Sequence, residues 1–284
     1  MYQMMSLPLY SGTFQEYDSW RDLGQELERL GCDGIEGGWG GEDLPKDLPA
    51  ELILGYHLIF YPDWLDFYRD DRAALKQKFG SLEAVASFYG GLGPDTLLEQ
   101  YRTDLRRAVN LGARYVVFHV SDVSLEEGYT YRWLPTNQEV IDAAVEVVNL
   151  ILGEERWPFE FLVENQWWPG FTFTEPEETA RLLEGIRFAG KGILLDTGHL
   201  MNACTELKTE AEGADYIRSM LNRHGSLAKW VRGVHLHQSL SGEYVKAHTG
   251  LLPAGLPEDY GENTVQHHQK HHPKRQKQIP YGTY

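Results

Sequence analysis

The chain has 284 residues, 42% of them hydrophobic and 24% charged, with a formal net charge of −16. That composition supplies a core for a domain of about 250 residues, and no run approaches the roughly 18 apolar residues that would span a bilayer. The charge is uneven: Lys270, Lys274, Arg275 and Lys277 stand in the last 21 residues without an acid, so the first 263 carry −20 and disfavour a polyphosphate partner.

Met1 to Phe14 lacks the basic start and apolar run of a signal peptide. The two cysteines, Cys32 and Cys204, are too few for a disulfide framework and form no CxxC pair. Both features point to the cytoplasm. The sequence is compatible with a homo-oligomer and offers no membrane anchor.

Short β-type runs alternate with helical patterns, which implies βαβ units and a parallel sheet. Strands are expected near Met5–Tyr10, Gly34–Gly38 and Leu52–Ile59, with an amphipathic helix over Ser19–Leu30 closed by Gly31. Residues 62–112 are too long for one crossover helix and should hold two or three, with breaks near Gly80 and Gly90–Pro94. The aromatic residues in this insertion (Trp64, Phe67, Tyr68, Phe79, Phe88, Tyr89) suit packing between helices better than a cover for the mouth. A fourth strand follows at Tyr115–Val120. A helix over Asn137–Leu152 presents Val140, Ile141, Ala144, Val147, Val148 and Ile151 on one face. Strands at Phe159–Glu164, Gly192–Thr197 and Val231–His237 complete the set. Between them lie helices over Glu175–Ile186, where Thr174 and Glu177 suggest a capping box, and Ala211–Arg223.

Seven strands are recognisable where a closed barrel needs eight. Beyond His248 no near-continuous apolar run marks a buried parallel strand. The expected fold is therefore α/β, a (β/α)8 TIM-barrel-like architecture with an atypical or missing eighth strand. Residues 1–250 form the barrel, and 251–284 an irregular tail whose HHQKHH run reads as solvated.

Residues able to bind metals recur at the C-terminal ends of the expected strands, where such barrels assemble their sites. Glu36 ends the second, His57 lies in the third, His119 ends the fourth and Glu164 the fifth. Asp196 ends the sixth, with His199 three residues on, and His235 ends the seventh. Carboxylates converging on one mouth repel each other unless a cation intervenes. The pattern therefore implies a divalent metal at the mouth. Strand alternation puts His235 and His237 on one face, and Gly198 is expected to turn the chain so that Asp196 and His199 both reach the mouth.

At these residues (the DGIE of the second strand, Glu164-Asn165, Asp196-Thr-Gly-His199 and His235-Leu-His237) the sequence resembles the xylose isomerase-like barrel superfamily. That superfamily holds sugar isomerases, sugar epimerases and the endonuclease IV type of apurinic-site nuclease. In the first branch, the resemblance implies a single Mn²⁺-like ion on Glu164, Asp196 and His235. The eighth-strand glutamate, which would be the fourth ligand and the acid/base partner of Glu164, has no counterpart; Glu243, Glu258 and Glu262 are equal candidates. In the nuclease branch, it implies several zinc ions on His57, His119, Glu164, Asp196, His199, His235 and His248, with Lys246 where that branch has an aspartate.

The leading expectation is a metal-dependent isomerase or epimerase of a sugar or sugar phosphate, with Glu164 and His199 catalytic. Glu36, His237, Trp133, Trp167, Trp168 and Lys246 are expected to bind substrate. Alternatives are a zinc-dependent phosphodiesterase of the apurinic-endonuclease kind and a degenerate barrel that binds without turnover. The expected partner is a small sugar-like molecule, with nucleic acid disfavoured by charge.

Overall fold

The computed structural model describes residues 1–41, 44, 47–238 and 240–250. Seven parallel strands run in sequence order: β1 (Met4–Leu9), β2 (Gly34–Trp39), β3 (Ile53–His57), β4 (Tyr115–His119), β5 (Glu160–Glu164), β6 (Lys191–Asp196) and β7 (Val231–His235). The sheet curls into an incomplete barrel with helices on its outer face, as the sequence implies. The expected tail at 251–284 lies outside the described residues. Among the described residues no helix is long and apolar enough to cross a membrane.

Helices α1 (Ser11–Phe14) and α2 (Trp20–Leu30) follow β1. Ser19 caps α2 by accepting from the Asp22 amide, and Gly31 closes it in the left-handed region, φ 71°. Between β3 and β4 the insertion holds four helices rather than two or three: α3 (Leu65–Tyr68), α4 (Arg72–Phe79), α5 (Leu82–Tyr89) and α6 (Pro94–Asn110). The breaks fall at Gly80 and Gly90–Gly93. Trp64, Phe67, Phe79 and Tyr89 are buried there, so packing is their role.

The remaining helices are α7 (Leu125–Thr130), α8 (Asn137–Leu152), α9 (Pro176–Gly185), α10 (Thr197–Asn202), α11 (Glu210–His224) and α12 (Gly242–His248). The Thr174–Glu177 capping box does not form. Thr174 instead shares a 2.7 Å hydrogen bond with Thr172, and Glu175 precedes Pro176 at the start of α9.

Strand alternation divides the apolar residues into two cores. Val116, Phe118, Phe161, Val163, Ile193 and Leu195 face outward into the main cluster beneath the helices. Val117, Leu162 and Leu194 face inward as a small separate layer. Two residues further along the same strands stand His119, Glu164 and Asp196, so the inward periodicity that builds this floor also places the polar groups above it.

Candidate metal centre

Pairing register brings the candidate ligands side by side. His119 is opposite Glu164 on β4 and β5, and Asp196 is opposite His235 on β6 and β7. Asn165, fully buried, locks the β5–β6 junction: its side chain donates to the Asp196 carbonyl at 3.1 Å and accepts from the Asp196 amide at 2.8 Å. Thr197 does the same for β7, its hydroxyl accepting from the His237 amide at 2.7 Å.

Glu164 stands at the middle with 1% exposure, and its two oxygens face different partners. Oε2 lies 2.8 Å from His119 Nε2 and 3.3 Å from His57 Nε2, and those two nitrogens are 2.9 Å apart. Oε1 lies 3.0 Å from His235 Nδ1 and 3.5 Å from His199 Nδ1. Asp196 closes the second group, its Oδ2 at 3.8 Å from His235 Nδ1, 3.7 Å from His199 Nδ1 and 3.3 Å from His237 Nε2. Two donor sets able to hold an ion result: His57, His119 and Glu164, and Glu164, Asp196 and His199.

The donor sets fit a divalent cation. Ligands at about 2.1 Å around a tetrahedral ion are roughly 3.4 Å from one another, and the imidazole-to-carboxylate separations in these sets are 2.8 to 3.7 Å. His57 Nδ1 lies 3.0 Å from the Leu58 carbonyl, so in the neutral ring the proton sits on Nδ1 and Nε2 keeps a lone pair. That lone pair, His119 Nε2 and the Glu164 carboxylate then crowd one point, which a cation satisfies better than a single proton.

The electrostatics follow from burial. Burial alone would raise Glu164, but the adjacent His119 and His235 hold its carboxyl well below the usual range. Asp196 is pushed up to about 6 by burial and by the neighbouring Glu164 charge. Burial lowers His119 to about 4. It also works against the protonated forms of His57 and His235, yet Glu164 and Glu36 hold both above the ordinary imidazole value. His199 and His237 are lowered, chiefly by burial.

The other expected site residues divide. Trp167 packs on His199 with ring centroids 4.9 Å apart and on Trp168 at 4.3 Å, forming an aromatic wall beside the second donor set. Trp133 is half exposed against Tyr131. His237 reaches Asp196, and Glu36 contacts His235 through Nε2 at 2.8 Å. Lys246 and His248 are not brought in: both lie exposed on α12, Lys246 paired with Glu206 and His248 stacked on Tyr244. Glu243 is exposed on the same helix, and Glu258 and Glu262 lie outside the described residues. Gly198 sits within α10 rather than at a turn, and a Cβ there would stand 2.8 Å from the His237 Cβ. It admits close approach of the β7 end.

Sequence reasoning missed Asn165 and Thr197 as positioning groups, since polar side chains that bind backbone leave no periodic signal. It also missed a groove of about 670 Å³ beside the mouth, lined by Trp39, Phe60, Tyr61, Gln100 and Arg107 among others. Phe60 joins this groove to the donor cluster, its ring 4.4 Å from that of His119.

Comparison with known proteins agrees with the architecture. Among solved structures, AsfvAP:AG superposes with a TM-score of 0.50 at 12% identity, covering 95% of this chain and 89% of its own. Endonuclease IV from Thermus thermophilus gives 0.47 at 16% identity, with 95% and 98% covered. The 3-keto-D-glucoside 4-epimerase from E. coli gives 0.48 at 11%, with 94% and 100% covered. No curated protein matches the sequence. The xylose isomerase-like TIM barrel family profile matches residues 25–265, and the chain belongs to that family.

Proposed function

We propose that the protein is a divalent-metal enzyme in which two groups of residues, both including Glu164, would each hold a cation, and that it hydrolyses a phosphate ester of a small sugar-like molecule. The observation that carries this reading is the split of Glu164, with Oε2 toward His57 and His119 and Oε1 toward His235 and His199.

His57, His119 and Glu164 would hold one ion, and Glu164, Asp196 and His235 or His199 the other. Paired divalent ions of this kind supply charge stabilisation and an activated water for displacement at phosphorus. His199 Nδ1, the nitrogen that faces Glu164 and Asp196, also lies 2.9 Å from the Asn165 carbonyl and 3.0 Å from Gln166 Nε2, so the tautomer of the ring sets whether that nitrogen donates to the carbonyl or offers a lone pair. Trp167 excludes water from one side of His199. The groove along Phe60 and Trp39 would receive the remainder of the substrate, with Arg107 at its wall. A charge of −20 over the first 263 residues favours a small substrate over a nucleic acid.

The isomerase or epimerase reading keeps one specific support: His235 Nδ1 lies 3.0 Å from Glu164 Oε1 and 3.8 Å from Asp196 Oδ2, which suits the three ligands that the resemblance implies for one ion. Metal counting separates the two. Protein made without a histidine tag, with His267, His268, His271 and His272 replaced by Ala, should take up two equivalents of Zn²⁺ or Mn²⁺ and hydrolyse bis(p-nitrophenyl) phosphate. One equivalent, with C–H exchange in a ketose and no hydrolysis, would overturn the proposal in favour of the isomerase.

A further inference from the structure

Glu36 was expected to touch substrate, but the structure gives it another neighbour. It is 4% exposed on β2, and its Oε1 lies 2.8 Å from His235 Nε2, on the side of the imidazole away from Glu164 and Asp196. Its Oε2 accepts the Tyr115 hydroxyl at 2.6 Å. Both carboxylate oxygens are therefore committed.

The contact is built into the sheet. Glu36 pairs with Gly55, and Gly55 pairs with Tyr115, so the two side chains flank a position that has none. A Cβ at Gly55 would stand 2.2 Å from the Tyr115 ring and 2.3 Å from its hydroxyl oxygen. The missing side chain on β3 is what allows Tyr115 to cross from β4 to β2. The ring then fixes Glu36, and Glu36 faces His235 across the gap between β2 and β7.

An imidazole has one nitrogen to protonate and one to offer when it binds a metal. Carboxylates that accept the non-ligating N–H set the tautomer and ring angle, and losing them lowers metal affinity about 10–100-fold. We infer that Glu36, anchored by Tyr115 in the Gly55 gap, is a positioning residue that holds the His235 proton on Nε2 and so presents Nδ1 to the ion shared with Glu164 and Asp196. This role rests on the metal reading above, but is independent of the reaction.

The test uses the full chain and zinc alone. Zinc affinity is measured by competition with a chromophoric chelator, and the His235 tautomer by long-range nitrogen–proton correlation in ¹⁵N-histidine-labelled protein. In the wild type, zinc should sit on His235 Nδ1 with the proton on Nε2. Glu36→Leu should weaken the tighter zinc step affecting His235 about 10–100-fold. Glu36→Gln, which keeps an oxygen for the Nε2–H, should retain affinity within a few-fold, and Tyr115→Phe should fall between them. A folded Glu36→Leu with wild-type affinity overturns the role, as does a wild type with zinc on Nε2. The tautomer in the wild type decides the matter if Glu36→Leu does not fold. A wild type that binds no zinc sinks the metal reading together with this one, so the two failures are told apart.

Discussion

Glu164 Oε2 and His119 Nε2 lie 2.8 Å apart across adjacent strands whose register sets the two residues opposite each other. Because the other Glu164 oxygen serves a separate group, removal of this carboxylate should damage both donor sets. Glu164→Ala is expected to lower the affinity for both ions by at least about 100-fold, given two ligand bonds lost at once. His119→Ala should remove one equivalent and leave the other near its wild-type affinity. Metal stoichiometry on dialysed protein checks both, and equal losses in the two variants would contradict the shared-carboxylate arrangement.

Metal uptake should strengthen with pH. Imidazoles and carboxylates bind ions only after losing their protons. His57 and His235 hold theirs above the ordinary imidazole value, and Asp196 titrates near 6. Raised values mean that protons compete longest in acid, so the apparent zinc affinity should climb from about pH 6 upward and binding should release protons. Calorimetry in buffers of different ionisation enthalpy measures that release. A pH-independent affinity would show that these groups are not ligands.

Asp104 is a stability prediction remote from the ions. It is fully buried on α6 and accepts the Tyr56 hydroxyl at 2.7 Å and the Ile59 amide at 2.7 Å, with Arg107 paired beside it. Asp104→Ala strands the buried Tyr56 hydroxyl and the half-buried Ile59 amide beside the half-buried Arg107, a loss of about 1–3 kcal/mol. Urea denaturation should show the fall in midpoint. A change under about 1 kcal/mol would mean that the groups find other partners.

Asp122 should make stability depend on pH in the opposite sense to an ordinary carboxylate. Its Oδ1 accepts the Trp64 and Leu65 amides, but burial first and the nearby Asp63 second push it up to about 8 from 3.8. The folded state thus keeps a proton that the unfolded state gives up. The stabilisation is complete below the unfolded value and lost as pH rises from about 4 to about 8. Asp122→Asn cannot ionise, so its stability relative to wild type should improve steadily over that window. Denaturation midpoints at pH 5 and pH 8.5 read the difference, and a constant offset would refute it.

β4, β5 and β6 were legible because each carries a short apolar run ending in a polar residue, and the resulting inward row of His119, Glu164 and Asp196 followed from a period of two. The seven-strand count came from the same signal. Less legible were groups whose role depends on neighbours far along the chain. Glu36 reads as a strand-end acid until Gly55 and Tyr115 are seen beside it. Thr174 carries a capping signature that a nearby threonine intercepts. The crossing at Gly198 was read as a turn because glycine marks both a bend and a close approach. Lys246 and His248 were placed by family spacing alone, and α12 carries them to the surface.

The Asn165 clamp bears on how the centre would answer ions of different size. By holding both the amide and the carbonyl of Asp196, it fixes the spacing of the two acidic strand ends as firmly as the sheet itself. Of the imidazoles, His235 is held by Glu36, His57 by the Leu58 carbonyl and His199 by the Asn165 carbonyl, whereas His119 Nδ1 has no hydrogen-bond partner among the described residues. A larger cation would therefore meet donors that are mostly tethered, with His119 the freest of them, so the centre would discriminate among metals by size.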